Sequence, residues 1–238
     1  MQPNGKRTDR PRGAAATDAR PHAVVDFILE RMPLCPVPAV PEISLHTAHP
    51  SSGLWQLLSW TGTGDELAPP YWAYPWAGGT VLARYLLDRS ADVRGRRVLD
   101  LGAGSGLVGI AAAKSGAADV IACEIDPNGQ AAIGLNAAAN GVMMKIISED
   151  LLGAPPPDVD MVVAGDVFYS DGMAVRVVAY LDRCVAAGIS VLVGDPGRAF
   201  LPLDRLRLLA GYAVADFGEP ATEPARPSGV YAFGAAHA

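Results

Sequence analysis

The 238-residue sequence predicts an α/β domain: a doubly wound, mostly parallel sheet with helices on both faces and an N-terminal extension. Three observations predict it. From Arg97 onward, short apolar strand-like runs alternate with stretches of helical periodicity. The first run ends in a glycine-rich turn, Asp100-Leu101-Gly102-Ala103-Gly104-Ser105-Gly106. The last two runs are separated by only about a dozen residues, which favours an antiparallel pair because a parallel return usually needs a crossover helix.

The elements follow in order. Residues 1–20 carry Lys6, Arg7, Arg10, Arg12 and Arg20 without an apolar run. They read as a disordered tail rather than a secretory signal, with a mitochondrial presequence as the alternative. His22 to Met32 places apolar groups at helical spacing, and Pro33 ends that helix. Pro36, Pro38 and Pro41 predict an extended connector, Ile43 to Thr47 a short strand, and Leu54 to Trp60 another. Residues 69–79 contain Pro69, Pro70, Pro75, Gly78 and Gly79 around four aromatics, which forbids regular structure. Thr80 to Arg89 is an amphipathic helix.

The alternating region gives strands at Arg97–Leu101, Asp119–Ile125, Lys145–Ser148, Met161–Gly165 and Ile189–Gly194. Helices are expected at Leu107–Ser115, Asn128–Ala139, Gly172–Ala186 and near Leu203–Ala210, and the late strands near Tyr212–Phe217 and Val230–Phe233. The chain thus divides into a tail (1–20), an extension packing on the core (21–77) and the α/β domain (78–238).

Composition narrows the function. The net charge of −6 and pI near 5.1 speak against a broad basic face for nucleic acid. No run of 18 apolar residues exists, so no membrane span is expected. Cys35, Cys123 and Cys184 lie far apart, without a CxxC, which predicts reduced thiols, a cytoplasmic setting and no metal site.

In an open α/β sheet, ligands bind beyond the carboxyl ends of the strands. The loop after the first strand lacks the Gly-Lys-Ser/Thr of a P-loop. Gly104, Gly106 and Gly109 match the dinucleotide pattern, but Asp100 favours a cationic ligand: its charge would repel a pyrophosphate and suits the amino group and sulfonium of S-adenosylmethionine. Glu124, at the second strand's end, can accept two ribose hydroxyls, and Ile125 offers an apolar face to adenine. Asp126 reads as a cap for the next helix. Asp150, beside Leu151, can accept from an adenine amino group or simply cap a turn. Asp166 and Tyr169 follow the fourth strand at i and i+3, poised for the acceptor. Arg198, after Gly194-Asp195-Pro196-Gly197, could hold an acidic partner.

Assembled, these residues closely resemble the lysine methyltransferases of the electron-transfer flavoprotein beta subunit, which belong to the seven-stranded class I S-adenosylmethionine-dependent methyltransferases. The likeness runs from about Pro41 to Phe233. It rests on Pro70-Tyr71-Trp72-Ala73 with Trp76, Gly78 and Gly79; Arg84 to Asp88; Val98 to Gly104; Ile125-Asp126-Pro127; Gly165-Asp166 with Phe168-Tyr169; and Gly194 to Arg198. The glycine loop is generic, whereas Pro-Tyr-Trp-Ala and Gly-Asp-Pro-Gly-Arg are far more specific. Glu124 departs from the expected Asp, a change between two ribose-binding carboxylates.

The resemblance implies a Rossmann-like methyltransferase fold with strand order 3-2-1-4-5-7-6 and the seventh strand antiparallel. It implies S-adenosyl-L-methionine as cofactor and a protein lysine as acceptor, with the flavoprotein beta subunit as the suspected partner. The catalytic candidates are Asp166 and Tyr169. The cofactor candidates are Trp76, Asp100, Gly102, Ala103, Gly104, Gly106, Glu124, Ile125, Asp150, Leu151 and Asp166, and the substrate-pocket candidates Trp72, Tyr74 and Arg198. A monomer is expected. The alternatives are a small-molecule (nicotinamide-like amine) N-methyltransferase and an NAD-dependent oxidoreductase.

Overall fold

The computed structural model describes residues 19–55, 57, 69–216 and 227–234. Helix α1 (Ala19–Arg31) leads into a hairpin of β1 (Leu34–Val37) and β2 (Val40–His46). The domain then runs α2 (Ala77–Asp88), β3 (Arg97–Leu101), α3 (Leu107–Lys114), β4 (Asp119–Cys123), α4 (Pro127–Ala139), β5 (Lys145–Ile147), β6 (Met161–Gly165), α5 (Asp171–Ala186), β7 (Ser190–Asp195), β8 (Leu206–Ala213) and β9 (Pro227–Phe233).

Seven strands form one sheet in the order β5-β4-β3-β6-β7-β9-β8. Counted from β3 as the first, that is 3-2-1-4-5-7-6. The pairs among β3 to β7 are parallel, and β9 runs antiparallel to both β7 and β8. Side chains alternate with period two between two apolar layers. Val98, Met161, Val163 and Leu192 pack under α2 and α3. Leu99, Val162, Ala164, Val191 and Val193 pack against α5 through Val177, Tyr180 and Leu181. Because β3, β4, β6 and β7 are parallel, the loops after Leu101, Cys123, Gly165 and Asp195 line one edge.

Four expectations are corrected here. The helix near Leu203–Ala210 is instead a short 3-10 turn (Leu203–Arg205) followed by β8. Helix-favouring Leu, Arg and Ala yield to tertiary context, because β9 would otherwise present an open edge. Pairing aligns Leu206 with Phe233, both buried in the layer under α5. The proline-rich connector forms β1, which pairs antiparallel with β2 and shifts register at Pro36/Val37. In the segment Leu54–Trp60, Leu54, Trp55 and Leu57 are helical, and the remainder lies outside the described residues, as do residues 1–18 of the expected tail 1–20, whose last two residues, Ala19 and Arg20, instead open α1.

The extension is tied to the domain by Asn136 on α4 and by Asn140, which caps the end of that helix. Asn136 Oδ1 accepts from His46 N–H (2.8 Å), and Asn140 both accepts from Ser44 N–H (3.0 Å) and donates to Ser44 O (2.7 Å). Asn136 also donates to Ser105 O (2.9 Å), so the same buried side chain braces the glycine loop.

Candidate active site

The loop after β3 turns on three glycines with positive φ: Gly102 (68°), Gly104 (53°) and Gly106 (82°). L side chains rarely adopt such angles. Gly102 is exposed, so the edge presents bare backbone there, while Ala103 is buried and donates its N–H to Cys123 O (2.9 Å). Gly109 permits the close approach of α3, since a Cβ there would lie 2.9 Å from Met144 sulfur and 3.1 Å from Asp100 Oδ2.

Asp100 is therefore not the ligand-facing charge expected from the sequence. Its carboxyl is 1% exposed and accepts the Gly109 N–H (2.8 Å). Burial pushes its pKa up to about 7, the N–H opposing and the nearby Glu124 charge adding to the rise. The acid shapes the loop from beneath rather than touching what lies above it.

At the end of β4, both Glu124 oxygens accept backbone donors: Gly104 N–H to Oε2 and Asp126 N–H to Oε1, each 2.8 Å. Burial raises its pKa and those N–H groups lower it. Each oxygen keeps a further lone pair, so this carboxylate is oriented but not saturated. Ile125 beside it is 64% exposed, an apolar face on the edge. Asp126 caps α4 through Asn128 N–H (2.8 Å), as its position suggested. Asp150 gives one oxygen to Leu152 N–H, capping the turn Leu151–Gly153, and the other to Arg176, whose hydrogen bond lowers its pKa. Leu151 is half-buried next to it.

The most constrained residue follows β6. Asp166 has φ 58°, the one positive value outside glycine among the described residues. Such a conformation costs energy and is held only by its surroundings. Its own N–H donates to Gly194 O (3.0 Å), Gly79 N–H donates to Oδ2 (2.7 Å), and Arg198 Nη2 pairs with Oδ1 (2.7 Å). Glycines make this convergence possible. A Cβ on Gly78 would lie 2.3 Å from Gly194 O, and one on Gly165 would lie 2.7 Å from Gly79 Cα. Burial raises the Asp166 pKa, while Arg198 and the Gly79 N–H oppose that rise.

Arg198, expected to hold an acidic partner, already has two carboxylates within this chain. Its Nη2 lies 2.7 Å from Asp166 and 3.2 Å from Asp216. Its guanidinium stands 5.8 Å from the Trp76 ring centroid.

The aromatics divide. Tyr74, Trp76, Tyr71 and Tyr169 form a run of rings with successive centroids 6.0, 5.9 and 5.4 Å apart. Trp76 is anchored by Nε1–H to Tyr71 O (2.7 Å). Tyr71 and Tyr169 are each 45% exposed. Trp72, in contrast, is 1% exposed and packs with Phe27 and Ile28 of α1 and with Met32 just after it, so this candidate pocket wall is a core side chain. Tyr71 was missed as a site residue, although it bridges Trp76 to Tyr169. Asp216 was missed too. It lies far along the chain from the motifs, yet it accepts Ala77 N–H (3.2 Å) and meets Arg198.

The open glycine backbone, the partly free Glu124 carboxylate and the exposed Ile125 together fit a nucleoside-bearing ligand. A family model described as lysine methyltransferase matches residues 73–198, a span containing all the site residues above except Tyr71, Trp72 and Asp216. The chain is 41% identical over 163 residues to the electron transfer flavoprotein beta subunit lysine methyltransferase of Rattus norvegicus, covering 66% of this chain and 62% of that protein. It is 38% identical over 199 residues to the Xenopus laevis protein of the same name, covering 80% of this chain and 78% of that one. The chain thus spans less than two thirds of the rat relative. Among solved structures, a T. thermophilus 16S rRNA methyltransferase, RsmC, in complex with AdoMet and guanosine, is similar with a TM-score of 0.50 at 20% identity, over 81% of this chain and 47% of that one. This likeness shows the fold alone. With its family match lying over the glycine loop, Glu124, Asp166 and Arg198, the chain belongs to the lysine methyltransferase family.

Proposed function

We propose that this chain is an S-adenosylmethionine-dependent protein-lysine N-methyltransferase acting on the electron-transfer flavoprotein beta subunit. The observation that carries the reading is Asp166: a buried carboxylate in a strained backbone conformation, clamped by the Gly79 N–H and Arg198, beside an exposed run of aromatic rings. The substrate comes from the relatives whose names specify it.

The cofactor, when bound, supplies an electrophilic methyl group on a sulfonium. Glu124 would take the ribose hydroxyls on its free lone pairs, Ile125 the adenine face, and the Gly102–Gly104 backbone the remainder. Trp76 stands where the α2 N-terminus meets Asp166. The acceptor lysine must be neutral to attack, because an ammonium has no lone pair and its ordinary pKa is about 10.4. Desolvation against Trp76, Tyr71 and Tyr169 lowers that pKa, and the released proton passes to water. Asp166 accepts an N–H of the amine on a remaining lone pair and aims the nitrogen. With the cofactor bound, its sulfonium would supply the methyl group to that nitrogen, the methyl–sulfur bond giving way to the N–CH3 bond. Fixing this alignment contributes on the order of several kcal/mol of barrier lowering.

The test is transfer of tritiated methyl from S-adenosylmethionine to purified flavoprotein beta subunit, with a cell lysate alongside. Label on a lysine of the subunit is expected. Label confined to other proteins would discard the substrate, and label only on small amines would favour the nicotinamide-like alternative. Asp166→Asn is the control, since Asn tolerates positive φ. Turnover should fall about 100-fold with S-adenosylhomocysteine affinity retained; unchanged turnover removes Asp166 from the mechanism.

A further inference from the structure

We infer that Arg198 is a positioning residue for methyl transfer: it holds the Asp166 carboxylate at the acceptor site and locks it, through Asp216, to the start of the helix that follows Trp76. The inference rests on the lysine-methyltransferase reading of the site and goes beyond it in assigning a role to Arg198.

Six contacts define the arrangement. The base of Arg198 is fixed, because the N–H groups of Gly197 and Arg198 both donate to Asp195 Oδ1 at 2.7 Å. Its head is fixed by one nitrogen, Nη2, placed between Asp166 Oδ1 (2.7 Å) and Asp216 Oδ2 (3.2 Å). Asp216 reaches on to Ala77 N–H (3.2 Å), the first residue of α2. The guanidinium also faces the Trp76 ring. Arg198 therefore joins the ends of β6 and β7, the start of α2 and the chain following β8. Its side chain is only 25% exposed, and its Nε is buried without a hydrogen-bond partner. A cation so placed is stable only beside its carboxylates.

The charges around Asp166 explain what the arginine does. Burial, and after it Asp216 following β8, favour protonation of Asp166, and the Asp166 charge in turn raises the pKa of the buried Asp195 at the end of β7. From α2 the neutral Gly79 N–H reaches the carboxylate. Arg198 is the cation in hydrogen-bond contact with it. Without that cation, the carboxyl would keep its proton to higher pH and present a donor, not an acceptor, to the incoming amine. Arg198 itself need not touch the substrate.

The experiment uses the full chain as wild type, Arg198→Gln and Arg198→Lys. The Asp166 carboxyl carbon is titrated by NMR without cofactor, with Asp166→Asn for assignment. Methyl transfer to the flavoprotein beta subunit is followed against pH. In Arg198→Gln the Asp166 midpoint should rise by about one pH unit or more, a tenfold change in proton affinity. The acid limb of kcat should move up with it, KM for the acceptor staying within about threefold. Arg198→Lys, which keeps the charge, should recover at least part of both shifts. An unmoved midpoint in folded Arg198→Gln overturns the role, and so does a change confined to KM. Should Arg198→Gln not fold, Asp216→Asn replaces it: removing that acid should lower the Asp166 midpoint, and an unchanged midpoint overturns the clamp. A wild-type chain that methylates no protein overturns both the function and this role, whereas wild-type transfer with an unmoved titration overturns the role alone.

Discussion

The Asp100 carboxyl lies sealed beneath the glycine loop with the Gly109 N–H as its donor, and burial pushes its pKa up to about 7. An acid whose folded pKa is raised binds its proton more tightly folded than unfolded. Its charged form therefore costs stability: the penalty is absent below the ordinary aspartate value of 3.8, grows above it and is complete above about 7. Full ionisation costs roughly 4 kcal/mol by this linkage. Asp195, with a pKa raised to about 6 by burial, acts in the same direction. Asp100→Asn removes the titration while keeping an acceptor for Gly109. Urea denaturation at pH 5 and pH 8 should show the wild type losing more stability on going to pH 8 than the variant, by about 2 kcal/mol; equal losses would mean the buried acid does not ionise in this range. The sequence located this residue but could not say which way it faces, because a strand-end acid reads the same above or below the loop. Tyr71 and Trp72 present the same difficulty. They are neighbours in a 3-10 turn flanked by prolines, with no periodicity to show that one ring faces out and the other in.

At the scale of elements, α2 is brought against β6 and β7 by missing side chains. A Cβ on Gly194 would lie 2.1 Å from Gly78 O and 2.8 Å from Leu82 Cβ. Gly194→Ala should therefore push α2 off the sheet, costing about 1–3 kcal/mol. It should also lower kcat, because Gly79 N–H and Gly194 O both hold Asp166. Gly172→Ala is the matched control. At that exposed glycine in the first turn of α5, an added Cβ would meet nothing within 4 Å, so alanine should raise stability by about 0.4–1 kcal/mol. Thermal melts of both variants check the pair; similar losses would show that crowding at Gly194 is not what matters. Helices and strands were legible where the pattern is local, as in β3 with its two buried faces or α5 with its apolar stripe. Leu206–Ala213 was not, because β9, a partner distant in sequence, makes it a strand. Asn136 reads as an ordinary helix residue and Asn140 as the residue after the helix, since their roles depend on backbone brought from β2.

For the whole molecule, alternation and the glycine loop were enough to place the sheet and its ligand edge, but strand order is not written in local periodicity. The order 3-2-1-4-5-7-6 entered through resemblance, and the structure shows it. Global charge adds a prediction of its own. The chain carries a net charge of −6, and at the proposed acceptor edge Asp166 and Asp216 pair with the guanidinium of Arg198, while the buried Asp195 holds its backbone. Under the proposed function, the net negative charge of the chain would draw a lysine-bearing segment toward the site before the amine loses its proton, and the attraction would weaken as salt screens it. In the proposed mechanism, steering acts on encounter and not on the chemical step, since the aligned amine would already be neutral and desolvated. Raising ionic strength should therefore lower kcat/KM for the flavoprotein subunit by roughly threefold or more, while kcat changes little. Steady-state kinetics across a salt series reads this directly. A flat kcat/KM would mean that the substrate is recognised by the exposed Tyr71 and Tyr169 rings without help from charge, and a fall in kcat would place the salt effect on the Arg198–Asp166 contact itself.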